Sequence, residues 1–268
     1  VRPARTARAA RMNAPTQFSV AENANPVDTL AEADDPRRAF LRARWFQASN
    51  DPTLGTVIAR MPSGRPLAAI PLVTKPVGPF RVKQVAGAYW PFRGAPIDRT
   101  ARVDDLAAAL SEPATAQALG RAWRIGPAIA DDPSLVTLRD AATRAGWHCL
   151  EREVSALYCL DLVALRASGT WPSTKGKQKD RWRVRQLEKS GPVRIERFTG
   201  RDWTDRERDA IAAIEAASWV GQLDEGGDTK FADPALRRYW EHASQDRTIA
   251  AMIGGFILWV GDTPAAFT

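Results

Sequence analysis

The chain predicts a mixed α/β protein with helices laid against its sheets, and three observations point there. Apolar runs bounded by Gly and Pro, at 55–61, 67–73 and 193–198, carry strand character. Other segments place apolar residues three and four apart, the helical spacing. The two kinds alternate along the chain, which is the pattern of helices packed on a mixed sheet. With 268 residues, 44% of them hydrophobic, the chain can bury one large core or two modest ones, and two is the expectation. Ten tryptophans spread from Trp45 to Trp259 supply large apolar areas for both.

Residues 1–34 are rich in Ala, Arg, Asn and Pro without a sustained period and predict a flexible lead-in. The chain opens on Val1 with Met12 nearby, so residues 1–11 are expected to precede the true start. A first unit then spans 35–165. Three of the chain's Asp-Pro pairs (35–36, 132–133 and 233–234) each precede a helical pattern, with Asp set to cap free amides and Pro pre-shaped for the first turn. These helices carry Leu41, Trp45 and Ala48; Leu135, Leu138, Ala142 and Ala145; and Leu236, Trp240 and Ala243. Gly55–Met61 and Leu67–Val73, joined through Pro62–Arg65, predict a hairpin, followed by strands at 80–90, 122–129 and 147–162 and a short helix at 103–110.

The second unit, 166–268, opens on a basic helix. Lys175, Lys177, Lys179, Arg181, Arg183, Arg185 and Lys189 face only Asp180 and Glu188 between 173 and 191, so seven minus two gives +5 of the chain's +7. The helix ends at Gly191-Pro192 and offers only Val184 and Leu187, with Trp182 to one side, for burial. A charge run of this kind reads first as a solvated face. As a cluster it also suits a phosphate-bearing ligand or a nucleic acid backbone. Thr204-Asp-Arg-Glu207 is a capping-box pattern opening a helix with Ile211 and Ile214. It is followed by a Gly-rich acidic loop, a helix at 234–244, and strands at 248–260 and 265–268 around a Gly261–Pro264 turn. Gly254-Gly255 is expected to mark a bulge or kink. The chain stops within an apolar run, so the second unit is expected to be incomplete.

The spacing K..R...R.LE..G over 175–191, followed by IEAASW.G over 214–221, resembles the CelD/BcsL-type acetyltransferases. These belong to the GNAT superfamily, are linked to cellulose and exopolysaccharide biosynthesis, and are related to the FemAB-type transferases. The likeness spans roughly Phe40 to Thr268 and implies tandem GNAT-like units, the second truncated at its C-terminus. It further implies an acyltransferase using acetyl-CoA or another acyl-CoA on a small-molecule or saccharide acceptor of the cell envelope. Lys175, Lys177, Arg181 and Arg185 would hold the anionic cofactor, lining a cleft between the units. Glu215 would take the acceptor's proton, with Trp219 beside it in the catalytic site. Relatives commonly carry Lys after the tryptophan, where this chain has Val220.

The pyrophosphate signature of GNAT proteins, Arg/Gln-x-x-Gly-x-Gly/Ala at a helix N-terminus, has no match here. Its nearest miss is Gln84-Val-Ala-Gly87-Ala-Tyr89, so that loop is expected beyond residue 268. Two alternatives stay open: a FemAB-type transferase that uses aminoacyl-tRNA, with the basic helix on RNA backbone, and an inactive truncated product or binding module. Tyr89, Trp90 and Arg93 are further candidates for an inter-unit cleft. His148 and His242 lack zinc-ligand spacing, and no nucleophile elbow, Walker loop or dinucleotide fingerprint is present, so no metal is expected. Cys149 and Cys159 flank one predicted strand without a reversal between them and read as free, buried thiols. With no signal peptide and no apolar run of spanning length, a cytoplasmic location is expected. The oligomeric state is not readable from the sequence.

Overall fold

Small and β-branched residues build the first sheet. In the computed structural model, which describes residues 24–87, 93–156, 158, 160–169, 173–219, 221 and 229–268, this sheet has four strands in the order β1-β2-β3-β4. They are β1 (Gly55–Arg60), β2 (Pro66–Val77), β3 (Phe80–Val85) and the short β4 (Trp123–Arg124). β1–β2 and β2–β3 are antiparallel, and β4 joins β3 in parallel through Lys83–Trp123 and Gln84–Arg124. Leu67 to Val73 of β2 are buried without a break. An unbroken apolar run of this kind is what a central strand covered on both faces requires.

Helices α1 (Ala24–Ala33), α3 (Val103–Ser111) and α4 (Pro113–Leu119) pack on this sheet, and α5 (Pro133–Arg144) packs on α3. The lead-in expected over 1–34 gives way at α1, whose Val27, Leu30 and Ala31 are buried against β2; residues 1–23 lie outside the described residues. The helix expected after Asp35-Pro36 is broken in two. Asp35 caps a 3-10 turn, Pro36–Arg38, and α2 (Ala43–Gln47) follows. The break serves Arg38, which is buried and bonds Asp34 at 3.0 Å, Asp132 at 2.6 Å and the Ala95 carbonyl at 2.6 Å. Asp132 thus caps α5 through Ser134 and Leu135 while neutralising Arg38.

The second sheet, β5 (Val193–Thr199), β6 (Gly254–Val260) and β7 (Thr263–Phe267), is antiparallel throughout. Helix α8 (Asp205–Ala217) covers one face. The other face leaves Ile195 68% exposed and Phe256 largely open. The strand expected from 248 begins only at Gly254, because Asp246 caps a further helix, α10 (Arg247–Met252). The expected bulge lies between Leu258 and Trp259 rather than at Gly254-Gly255. Gly255 is glycine for another reason: a Cβ there would lie 2.7 Å from the Phe198 ring.

Three further expectations change. Over 122–129 a ladder forms only at Trp123–Arg124, with an isolated bridge at Ala128, and 148–156 forms no ladder although it reads as a strand. Leu150 and Val154 there are exposed, as are Tyr158 and Leu160 beyond them. Helix α6 (Leu162–Ala167) occupies the place expected for the junction between the units. Cys149 is a free thiol, exposed rather than buried, and Cys159 lies outside the described residues.

Helix α9 (Pro234–Ala243) joins the two halves. Its Tyr239 and Ala243 belong to the first core, together with Ile249 of α10. Trp240 packs against both cores. The Tyr239 hydroxyl donates to the Trp45 carbonyl at 2.9 Å, and Arg42 of the first half pairs with Asp246 at 2.9 Å. Both halves therefore show the mixed α/β architecture, but the first core is completed by residues of the second half. Among the described residues, no helix is long and apolar enough to cross a membrane.

Candidate functional site

Two elements carry the residues singled out from the sequence, and each is written locally. Helix α7 (Thr174–Leu187) starts where the Ser173 hydroxyl accepts from the Gly176 amide at 3.0 Å. Helix α8 starts at the expected capping box: the Glu207 carboxylate accepts from the Thr204 amide at 2.6 Å, and the Thr204 hydroxyl accepts from Arg206 at 3.3 Å.

Lys175, Lys177, Arg181 and Arg185 are all exposed on α7. So are Lys179 and Arg183, the latter 3.5 Å from Asp180. Trp182 is 57% exposed and Val184 is open too; among the described residues of the helix, only Gly176, Gln186 and Leu187 are partly covered. All of these cations face solvent, and no described residue of α7 belongs to either apolar core. The reason is its composition, since two apolar side chains on one strip cannot offset the cost of pressing six cations against a neighbour.

The face of α8 that turns inward is Glu207, Ile211 and Glu215, spaced by four, and all three are buried. Burial pushes the Glu207 carboxyl up, but the Thr204 hydrogen bonds outweigh it and hold its pKa below the usual carboxylate value. Glu215 is 5% exposed. Its Oε1 and Oε2 both accept from the Lys230 amide at 2.9 Å, and Oε2 also accepts from Phe231 at 2.7 Å and Ala232 at 3.0 Å. The main-chain oxygen of Glu215 takes the Ser218 hydroxyl at 2.7 Å and the Ser218 amide at 3.1 Å.

Trp219 follows at the same helix end and is 73% exposed. Glu215 and Trp219 thus lie within one turn of each other in sequence, one inside and one outside. Behind them runs an aromatic stack. Phe198 faces Trp203 at 6.1 Å, Trp203 meets Phe231 edge-on at 5.6 Å, and Phe231 stacks on Trp240 at 6.4 Å. Trp240 reaches Trp45 of the first half at 5.9 Å.

On the side of the second sheet that α8 covers, the Trp259 ring lies under two guanidinium groups, Arg206 at 4.9 Å and Arg194 at 5.0 Å. Glu196 bonds both arginines at 2.7 Å, and the hydrogen bond from Arg206 leads the effects that lower its pKa.

Of the other candidates, Tyr89 and Trp90 lie outside the described residues. Arg93 is partly buried, with its main chain paired to Gly126 and Pro127. Burial and then the nearby Arg124 cation push its pKa below the usual guanidinium value. Gln84, from the near-miss phosphate signature, is buried in β3 and accepts from Arg124 Nε at 2.7 Å.

The inward position of Glu215 was readable in principle, because four residues separate it from the core residue Ile211. The amides it would meet were not, since they lie 15 to 17 residues further on. No protein-family model and no curated protein matches this chain.

Proposed function

We propose that the protein is an acyl-CoA-dependent acyltransferase of the CelD/BcsL kind, acting on an amine or hydroxyl of a cell-envelope or exopolysaccharide precursor. The reading rests on the two stretches that carry the family resemblance, 175–191 and 214–221. The observation that favours it is local. The second stretch ends α8 beside the second core, where Glu215 is fixed by three main-chain amides and Trp219, four residues on, stands open. An exposed indole next to a rigid helix end is suited to hold a saccharide or the flat part of a cofactor. In the proposed reaction the acceptor heteroatom attacks the thioester carbonyl, coenzyme A leaves as the thiol, and the proton passes to solvent or to a nearby base. The test is thiol release from acetyl-CoA by the full chain, offered a panel of amino sugars, sugars and amines. Release that stays at the rate of plain hydrolysis with every acceptor sinks the reading.

A second reading is favoured by α7. At about 100° per residue, Lys177, Arg181, Arg185, Lys175, Lys179 and Arg183 cover about two thirds of the helix circumference. An arc that wide suits a ligand that wraps around the helix, such as the backbone of a structured RNA, better than a single anion. This is the aminoacyl-tRNA-dependent alternative. It predicts tRNA binding that weakens steeply with salt, and a Lys177→Ala, Arg181→Ala, Arg185→Ala triple variant whose salt slope is shallower by about three. A slope equal to that of the unaltered chain removes this alternative.

A further inference from the structure

Glu215 closes a loop from both sides. The outgoing chain is held by its main chain: the Ser218 amide and hydroxyl bond the Glu215 carbonyl, and the Gly221 amide bonds Ser218 at 3.1 Å. Gly221 then passes so near the end of α8 that a Cβ there would lie 2.9 Å from Ala216 Cα and closer still to the Glu215 carbonyl oxygen. The returning chain is held by the side chain, at Lys230, Phe231 and Ala232. Positions 221 and 230 therefore meet at one residue, which forms a neck where the outgoing and returning chain are held together.

The neck has consequences downstream. Phe231 is set between Trp203 and Trp240. Immediately after, Asp233 accepts from the amides of Ala235 and Leu236 and starts α9. Two carboxylates thus take up the amide donors that lead into the helix joining the halves.

A proton acceptor needs a free lone pair aimed at the group it deprotonates. The Glu215 oxygens accept four contacts from three amides, inside a surface only 5% exposed. Both oxygens are directed into the protein's own main chain, which is the geometry of an anchor.

We propose that Glu215 is a positioning residue: it clasps the neck between Gly221 and Lys230, seats Phe231 in the aromatic stack and orders the surface beside Trp219, while the acceptor's proton leaves by another route. The proposal rests on the transferase reading for its catalytic part only. The clasp itself can be tested without turnover.

The experiment compares the full chain with Glu215→Gln and Glu215→Ala by hydrogen exchange and by acetyl-CoA turnover against pH. Glu215→Gln keeps the size but turns one oxygen into a donor facing amide donors. Exchange at Lys230, Phe231 and Ala232 is expected to rise about tenfold or more in both variants, while the Ile257 amide in β6 stays as protected as before. Turnover in Glu215→Gln is expected to fall less than about tenfold, chiefly through KM, with the pH profile unmoved. Unchanged exchange at 230–232 overturns the clasp whether or not the protein proves to be a transferase. A fall in kcat of about a hundredfold with loss of the acidic limb, and exchange unaltered, instead assigns Glu215 as the base. If Glu215→Ala loses protection throughout, including at Ile257, the Gln variant alone decides between these outcomes.

Discussion

Helices α7 and α9 begin alike and pack differently. Each has a side-chain cap, Ser173 for one and Asp233 for the other, and each is followed by a sharp change of chain direction. Helix α9 carries Leu236, Tyr239, Trp240 and Ala243 on one stripe and is held by both cores. Helix α7 carries cations around most of its circumference, and none of its described residues belongs to either core. Local hydrogen bonding decides where a helix starts, whereas a wide enough apolar stripe decides whether anything packs against it.

The most direct way to break this contrast is to remove the residue on which α9 rests. Trp45 touches Phe40, Tyr239 and Trp240 and is almost fully buried. Trp45→Ala is expected to cost roughly 3–5 kcal/mol in urea unfolding, through lost packing and the cavity left behind. A loss below about 1 kcal/mol is inconsistent with a tight joint between α9 and the first core.

A matched pair of cap deletions sharpens the contrast further. Asp233→Ala is expected to lower global stability by about 1 kcal/mol, because α9 is part of both cores. Ser173→Ala should leave the urea midpoint within about 0.5 kcal/mol and show only as faster exchange in the first turn of α7. Equal global effects from the two deletions would place α7 within the cooperative structure after all.

The smallest effect is in the pH dependence of the turn that replaces the expected helix at Asp35-Pro36. The hydrogen bond from the Arg37 side chain, followed by the Arg37 amide, lowers the Asp35 carboxyl from 3.8 to about 2. A carboxyl lowered in the folded state adds stability above its unfolded pKa and loses it as pH falls through the folded value. The contribution is therefore complete above about pH 4 and fades towards pH 2. Because the pair is exposed, screening keeps the effect small. Asp35→Asn is expected to remove this small contribution above about pH 4, so that the two proteins converge towards pH 2 and the variant's acid stability curve is slightly flatter. A steeper acid transition in the variant contradicts the sign.

What was legible in the sequence follows the range of the forces involved. The hairpin at Gly55–Val77, the α8 capping box and the starts of α5 and α9 depend on residues within a few positions of one another, and each forms as read. The expected strand from 248 failed over its first part because Asp246 caps a helix there, a signal present in the sequence but outweighed by the apolar run behind it. The stretch 147–162 has strand alternation, yet a strand needs a partner, and none pairs with its described residues. The site was read in part. Glu215 and Trp219 do share a helix end, but the position of one inside and the other outside depends on where Lys230, Phe231 and Ala232 return.

By itself the sequence determined the mixed α/β class, the helix starts, and the concentration of positive charge in one element with little to bury. These follow from backbone propensity, capping and composition, which act within a turn or two of chain. Tertiary structure alone decided that α9 completes the first core from the second half, that no described residue of α7 joins either core, and that Glu215 clasps amides far along the chain. Each of those outcomes is a choice of partner, and a partner is fixed only when distant segments compete for the same buried surface.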